Sequence, residues 1–236
     1  MTDLANKVVM ITGAAGNLGV AVAAVCGAAG ARTALVDRAQ GRLEQLHPPS
    51  PQRLLLGGVD LTAEDQVGQA VAAALDRFGR IDALVATVGG FRGGKTVEEE
   101  ELATWDLMMA MNLRTAVLAC RAVLPAMRGQ GQGAIVTVAA GAALNGPPGL
   151  AAYAASKAAL LRFTESLAEE VGPAGIRVNA VLPGIIDTPQ NRAAMPDADH
   201  GAWVAPAAIA DAIAYLISDA ARAVSGIALP VAAPSR

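Results

Sequence analysis

Tyr153 and Lys157, in the stretch YAASK, are the residues of this chain whose types and spacing point most directly to proton transfer. A separation of four places both on one face of a helix, so that an ammonium group stands beside a phenol. A free phenol titrates at about 10. A neighbouring positive charge favours the phenolate and brings the group towards the range in which it works as a general acid and base. The other tyrosine, Tyr215, lies in a late amphipathic segment and reads as packing.

A second constellation concerns phosphate. In VVMITGAAGNLGVAVAAV a strand is followed by a glycine turn and a helix, the order a dinucleotide site requires. Gly13, Gly16 and Gly19 let backbone approach a pyrophosphate, and the free N–H groups at the helix start, around Asn17 and Leu18, supply the attraction. Asp37 ends the next strand, where a carboxylate accepts hydrogen bonds from an adenosine ribose and repels a 2′-phosphate. NAD(H) is therefore expected in preference to NADP(H), and Arg38, which could pair with a phosphate, keeps NADP(H) possible. Asp60, followed by Leu61 in GGVDL, fits two roles equally: a contact to the adenine edge, or a helix N-terminal cap before TAED.

These residues need elements to hold them. Apolar runs of strand length alternate with longer helical segments, the pattern of βαβ units. Strands are expected at Lys7–Thr12, Arg32–Asp37, Arg53–Val59, Ile81–Thr87, Ala134–Val138, Ile176–Leu182 and Ile227–Val231. Helices are expected at Leu18–Ala29, Ala63–Phe78, Glu98–Met127, Ala151–Val171 and Pro206–Ser218, with the acidic run Glu98–Glu101 as a solvated first turn. The prediction is an α/β fold: one domain over residues 1–236, a doubly wound seven-stranded parallel sheet with helices on both faces. The aperiodic stretch Thr188–Val204 is the expected substrate cover.

Composition agrees and excludes other classes. The chain has 236 residues, 53% hydrophobic but only 3% aromatic, which suits helices packed closely on a buried parallel sheet. A net charge of −3 without a Lys/Arg cluster argues against a nucleic-acid partner. Cys26 and Cys120 lack metal-ligand spacing and read as buried thiols, while His47 and His200 read as solvated loop residues; no metal site is expected. Val8–Ala31 has no charged residue, but its glycines and Asn17 mark strand, loop and helix instead of a membrane span. The expectation is a cytoplasmic protein without a membrane partner.

Taken together, TGAAGNLG (Thr12–Gly19), Asp37, VDL around Asp60, MNL at Asn112, YAASK, and RVNAVLPGIIDTP (Arg177–Pro189) resemble the single-domain short-chain dehydrogenase/reductase family over nearly the whole chain. The resemblance implies a Rossmann fold and an oxidoreductase acting on a small molecule. Tyr153 would be the proton donor or acceptor, Lys157 would bind the nicotinamide ribose, and Asn112 would hold a relaying water. Gly89 would border the cofactor, and Pro183, Gly184, Ile186 and Thr188 would cradle the nicotinamide carboxamide. It also implies a homodimer or homotetramer.

The chain departs from that pattern where a serine is usual: Ala140 stands thirteen residues before Tyr153, and no serine occurs from Gly129 to Ala155. Thr137 and Asn145 are the hydroxyl and amide nearest in sequence. The usual NNAG is Ala86–Gly89, without the asparagines that brace the sheet edge, and Asn17 replaces a glycine. Quinonoid dihydropteridine reductases are similar in the alanine, in a GGF-like turn (Gly89–Phe91) and in a GPPG-like loop (Gly146–Gly149). A conjugated imine substrate, or a binding protein that has lost efficient catalysis, are the readings the missing serine adds. Trp203 and Met195 fit a pocket wall or lid packing equally.

Overall fold

A computed structural model of the chain describes residues 2–232. Seven strands form one sheet: β1 (Val8–Thr12), β2 (Arg32–Val36), β3 (Arg53–Leu56), β4 (Ala83–Ala86), β5 (Gly133–Val138), β6 (Ile176–Pro183) and β7 (Ala228–Val231). Their order is β3-β2-β1-β4-β5-β6-β7, and every pair is parallel. The central strands β1 and β4 are buried throughout and almost wholly apolar, because helices cover both faces and leave no solvent side.

On one face α1 (Asn17–Ala28) and α8 (Pro206–Ile217) bring Val22, Cys26, Ile209 and Ile213 onto Val9, Ile11, Val85 and Val136. On the other, α3 (Glu64–Phe78), α5 (Thr115–Gln130) and α6 (Ala151–Val171) bring Val71, Val123, Met127 and Val171 onto Met10, Leu84, Ile135 and Val178. The chain order reverses between β1 and β4, so a crevice opens beyond their carboxyl ends, where ligands bind in sheets of this kind. The glycine turn leaves β1 there and Thr87–Gly90 leave β4 there.

Several expectations are corrected. Two short helices, α2 (Gln40–Leu46) and α7 (Pro189–Ala194), lie in stretches too short to show a period; α2 buries only Leu43 and α7 buries nothing. The single helix expected from Glu98 to Met127 is α4 (Leu102–Met109), a π-helical turn (Ala110–Arg114) and α5. The acidic run forms a turn before α4, where the Glu99 carboxylate accepts a bond from the Thr96 N–H, so it is not a first helical turn. The third strand stops at Leu56, before Gly57 and Gly58.

Val8–Ala31 is a strand, a turn and a helix as expected. The continuous helical stretch Leu102–Gln130 is long and apolar enough to cross a membrane, yet Leu118, Ala119, Cys120, Val123 and Met127 are buried in the core. Cys26 and Cys120 are buried, which pushes both thiols up to about 12. His47 is not solvated: it is 4% exposed, at the end of α2, with Nε2 2.8 Å from the Ala14 carbonyl oxygen. His200 is half-buried, packed on Trp203, with Nε2 2.9 Å from the Met195 carbonyl oxygen.

Candidate active site

The glycine turn is held tightly at the head of the crevice. A Cβ on Gly19 would lie 2.1 Å from the Gly13 carbonyl oxygen, so only glycine lets α1 start this close to the turn. Thr87 Oγ1 donates to the Thr12 carbonyl at 2.7 Å. A threonine thus braces β4 against β1 in place of the missing asparagines. Asn17 and Leu18 form the first turn of α1, with Leu18 buried. The Asn17 side chain donates to Gln190 Oε1 of α7 at 2.7 Å and ties the turn to the far wall.

Asp37 follows β2 and accepts from the Ala15 N–H at Oδ2 and from the Ala39 N–H at Oδ1, both at 2.9 Å. Each oxygen keeps a lone pair for a ribose hydroxyl, and Arg38 is exposed beside it. Asp60 accepts at Oδ1 from both the N–H and the hydroxyl of Thr62, at 2.9 and 2.7 Å. These bonds, with Arg38 adding less, hold its carboxyl below the ordinary range. Asp60 therefore caps the Thr62 turn and is not the cap of α3, whose N-terminal flank is Ala63; Leu61 is buried.

Lys157 and Asn112 meet at Gly89, just past the end of β4, and Tyr153 lies one turn before Lys157 on α6. A Cβ on Gly89 would lie 3.0 Å from both Asn112 Oδ1 and Lys157 Nζ, so glycine is what allows the strand end to pass between them. Asn112, fully buried in the π-helical turn, accepts from Gly90 N at 2.8 Å and donates to Gly90 O at 3.1 Å and Ser156 Oγ at 2.9 Å. Single π-turns inside α-helices recur at functional sites. Ser156 donates in turn to the Tyr153 carbonyl at 2.7 Å. Sequence reasoning passed over Ser156; its place one residue before Lys157 was the available signal.

Lys157 donates to the Val138 carbonyl at 2.8 Å, and burial pulls its ammonium down to about 8. Burial likewise pushes the Tyr153 phenol above its ordinary value. The expected lowering of the phenol by Lys157 is not seen in the protein alone, where burial is what shifts it, and upward. Phe91 packs edge-on against Tyr153, with ring centroids 5.0 Å apart, and is 55% exposed.

Ala140 stands in extended backbone after β5, its methyl nearly buried. Thr137 does not replace the serine: it is fully buried, with its hydroxyl 2.8 Å from that of Thr164. Asn145 is exposed in the loop before α6. After β6, which ends at Pro183, Gly184 N donates to Val231 O at 3.0 Å and Ile186 pairs with Val204. Thr188 caps α7 by accepting from Asn191 N at 3.1 Å. The stretch Thr188–Val204 is thus a short helix and a 3₁₀ turn, with Trp203 buried as packing and Met195 half-buried. Among the described residues there is no group of three metal-ligating side chains.

Comparison with known proteins places this geometry. The family described as short chain dehydrogenase matches residues 7–199. The chain is 35% identical to 2-(R)-hydroxypropyl-CoM dehydrogenase of Xanthobacter autotrophicus, over 95% of this chain and 96% of that one. It is 34% identical to cis-4-hydroxycyclohexanecarboxylate dehydrogenase of Sinomonas cyclohexanicum, over 96% and 95%. The 3-ketoacyl-(acyl-carrier-protein) reductase of Brucella melitensis, solved with NADH, superimposes with a TM-score of 0.89 at 32% identity, covering 97% of this chain and 98% of that one. None of these three similarities bears on the pterin resemblance.

Proposed function

Since the chain belongs to the short chain dehydrogenase family, and is thereby an NAD(P)-dependent oxidoreductase of small molecules, we propose that it prefers NAD(H) and uses Tyr153 as its acid–base group. Its substrate is a small carbonyl or alcohol, or a conjugated imine. The observation that carries this reading is the convergence of Lys157 and Asn112 on Gly89, beside the crevice that the glycine turn heads, with Tyr153 one turn before Lys157 on α6 and linked to Asn112 through Ser156.

The residues present fit a dinucleotide. Gly13, Gly16 and Gly19, with the N–H groups at the start of α1, would take the pyrophosphate. Asp37 would take the adenosine ribose and Asp60 the adenine edge, Lys157 the nicotinamide ribose, and Pro183, Gly184, Ile186 and Thr188 the carboxamide. The nicotinamide supplies or accepts the hydride when bound. Tyr153, kept protonated by its burial, gives its proton to the substrate oxygen or nitrogen in reduction and takes it back in oxidation. Asn112 holds Gly90 and Ser156 in place and so fixes the floor on which Tyr153 and Lys157 stand.

Ala140 and the inward-turned Thr137 favour an acceptor that needs a proton more than a polarised ketone oxygen, and the exposed face of Phe91 offers such a planar substrate a stacking surface. The test is NADH oxidation against ketones, aldehydes, diketones and a quinonoid dihydropterin. Faster turnover of conjugated acceptors than of simple ketones is expected; equal turnover of simple ketones overturns the conjugated preference. NADH binding without turnover of any of them would make the chain a binding protein.

A further inference from the structure

His47 takes no part in the chemistry above, yet it is a buried polar side chain aimed at the glycine turn. The Ala14 carbonyl can only accept, so the 2.8 Å contact requires Nε2 to carry a proton and donate it. The N–H at the other end of that same peptide, Ala15 N, donates to Asp37 Oδ2 at 2.9 Å. One amide plane of the turn is therefore gripped at both ends, by His47 on its oxygen and by Asp37 on its nitrogen. Ala14 and Ala15 are buried, and the contact between His47 and the Ala14 carbonyl is buried with them, whereas the one to Asp37 is part-buried. The amide is planar, and fixing the direction of its carbonyl fixes the direction of its N–H.

We propose that His47 is a positioning residue for the dinucleotide. By holding the Ala14–Ala15 peptide, it orients both the phosphate-facing turn and the Asp37 carboxylate that meets the adenosine ribose. Were the peptide to rotate, its oxygen would face the Asp37 carboxylate, two acceptors with no proton between them. Asp37 would then be held only by Ala39 N. The short helix α2 completes the brace: Ala39 precedes it and binds Asp37, while His47 follows it, bonding back through its own N–H to Leu43 O at 3.0 Å. A helix with one buried residue is thus fastened at one end to Asp37 and at the other to the peptide that Asp37 also holds.

The proposal rests on the NAD(H) reading, and titration of the purified protein with NADH and NADPH, followed by cofactor fluorescence, separates the two. His47→Leu keeps bulk and loses the donor, whereas His47→Gln keeps a donor. His47→Leu is expected to raise the NADH Kd about 10-fold and to shrink the preference for NADH over NADPH, with His47→Gln restoring most of both. A His47→Leu protein that binds both cofactors like the parent overturns the role of His47. So does a His47→Gln protein with restored thermal stability but unrestored binding, since His47 would then only fill space. If His47→Leu does not fold, His47→Met is read by the same criteria. Absence of NADH binding by the unaltered protein overturns the NAD(H) reading itself.

Discussion

Replacing Lys157 with methionine should tilt the pH dependence of stability in a predictable direction. Lys157 is buried, and desolvation lowers its ammonium from 10.5 to about 8 in the folded chain. Between those values the unfolded chain binds a proton that the folded chain does not, so stability rises with pH from about 8 to 10.5. Below about 8 the folded chain carries the full cost of a buried ammonium, about 3 kcal/mol for a depression of this size. Methionine removes that cost but leaves the Val138 carbonyl without its donor, a pH-independent loss of about 1 kcal/mol. In urea unfolding Lys157→Met should therefore be more stable than the parent by about 2 kcal/mol near neutral pH and less stable by about 1 kcal/mol at the alkaline end. A stability difference that stays flat across the window, or tilts the other way, would refute the reasoning.

Two further substitutions probe the rest of the site. Asn112→Ala strips partners from Gly90 N, Gly90 O and the buried Ser156 hydroxyl, and should cost at least about 2 kcal/mol in urea unfolding; an unchanged midpoint would mean that the π-helical turn stands without that amide. Ala140→Ser supplies the missing donor and should raise turnover of simple ketones by at least about 100-fold. No change in kcat/KM would show that another group already polarises the substrate.

The sheet was legible because parallel strands buried on both faces read as unbroken apolar runs, and the glycine turn because its spacing serves a backbone requirement. The helices α2 and α7 were not legible. Each has at most one buried residue, so tertiary hydrogen bonds and not periodicity hold them. The same cause hid His47: its sequence neighbours are polar and proline-rich, and only the folded chain reveals that Ala14 lies behind it. The π-helical turn at Asn112 and the Thr87 brace depend on long-range contacts that no local pattern encodes. Tyr153 and Lys157 were readable as a pair, but the direction of the phenol's shift was not, since burial decides it.

The central claim is that Tyr153 moves the proton while other residues hold the cofactor. The measurement that tests it most directly compares Tyr153→Phe with the parent in NADH-dependent turnover and in NADH affinity on the same preparations. The account predicts that turnover falls by at least about 100-fold, the lower range for a positioned acid–base group, while the NADH Kd stays unchanged. Substantial remaining turnover would contradict it.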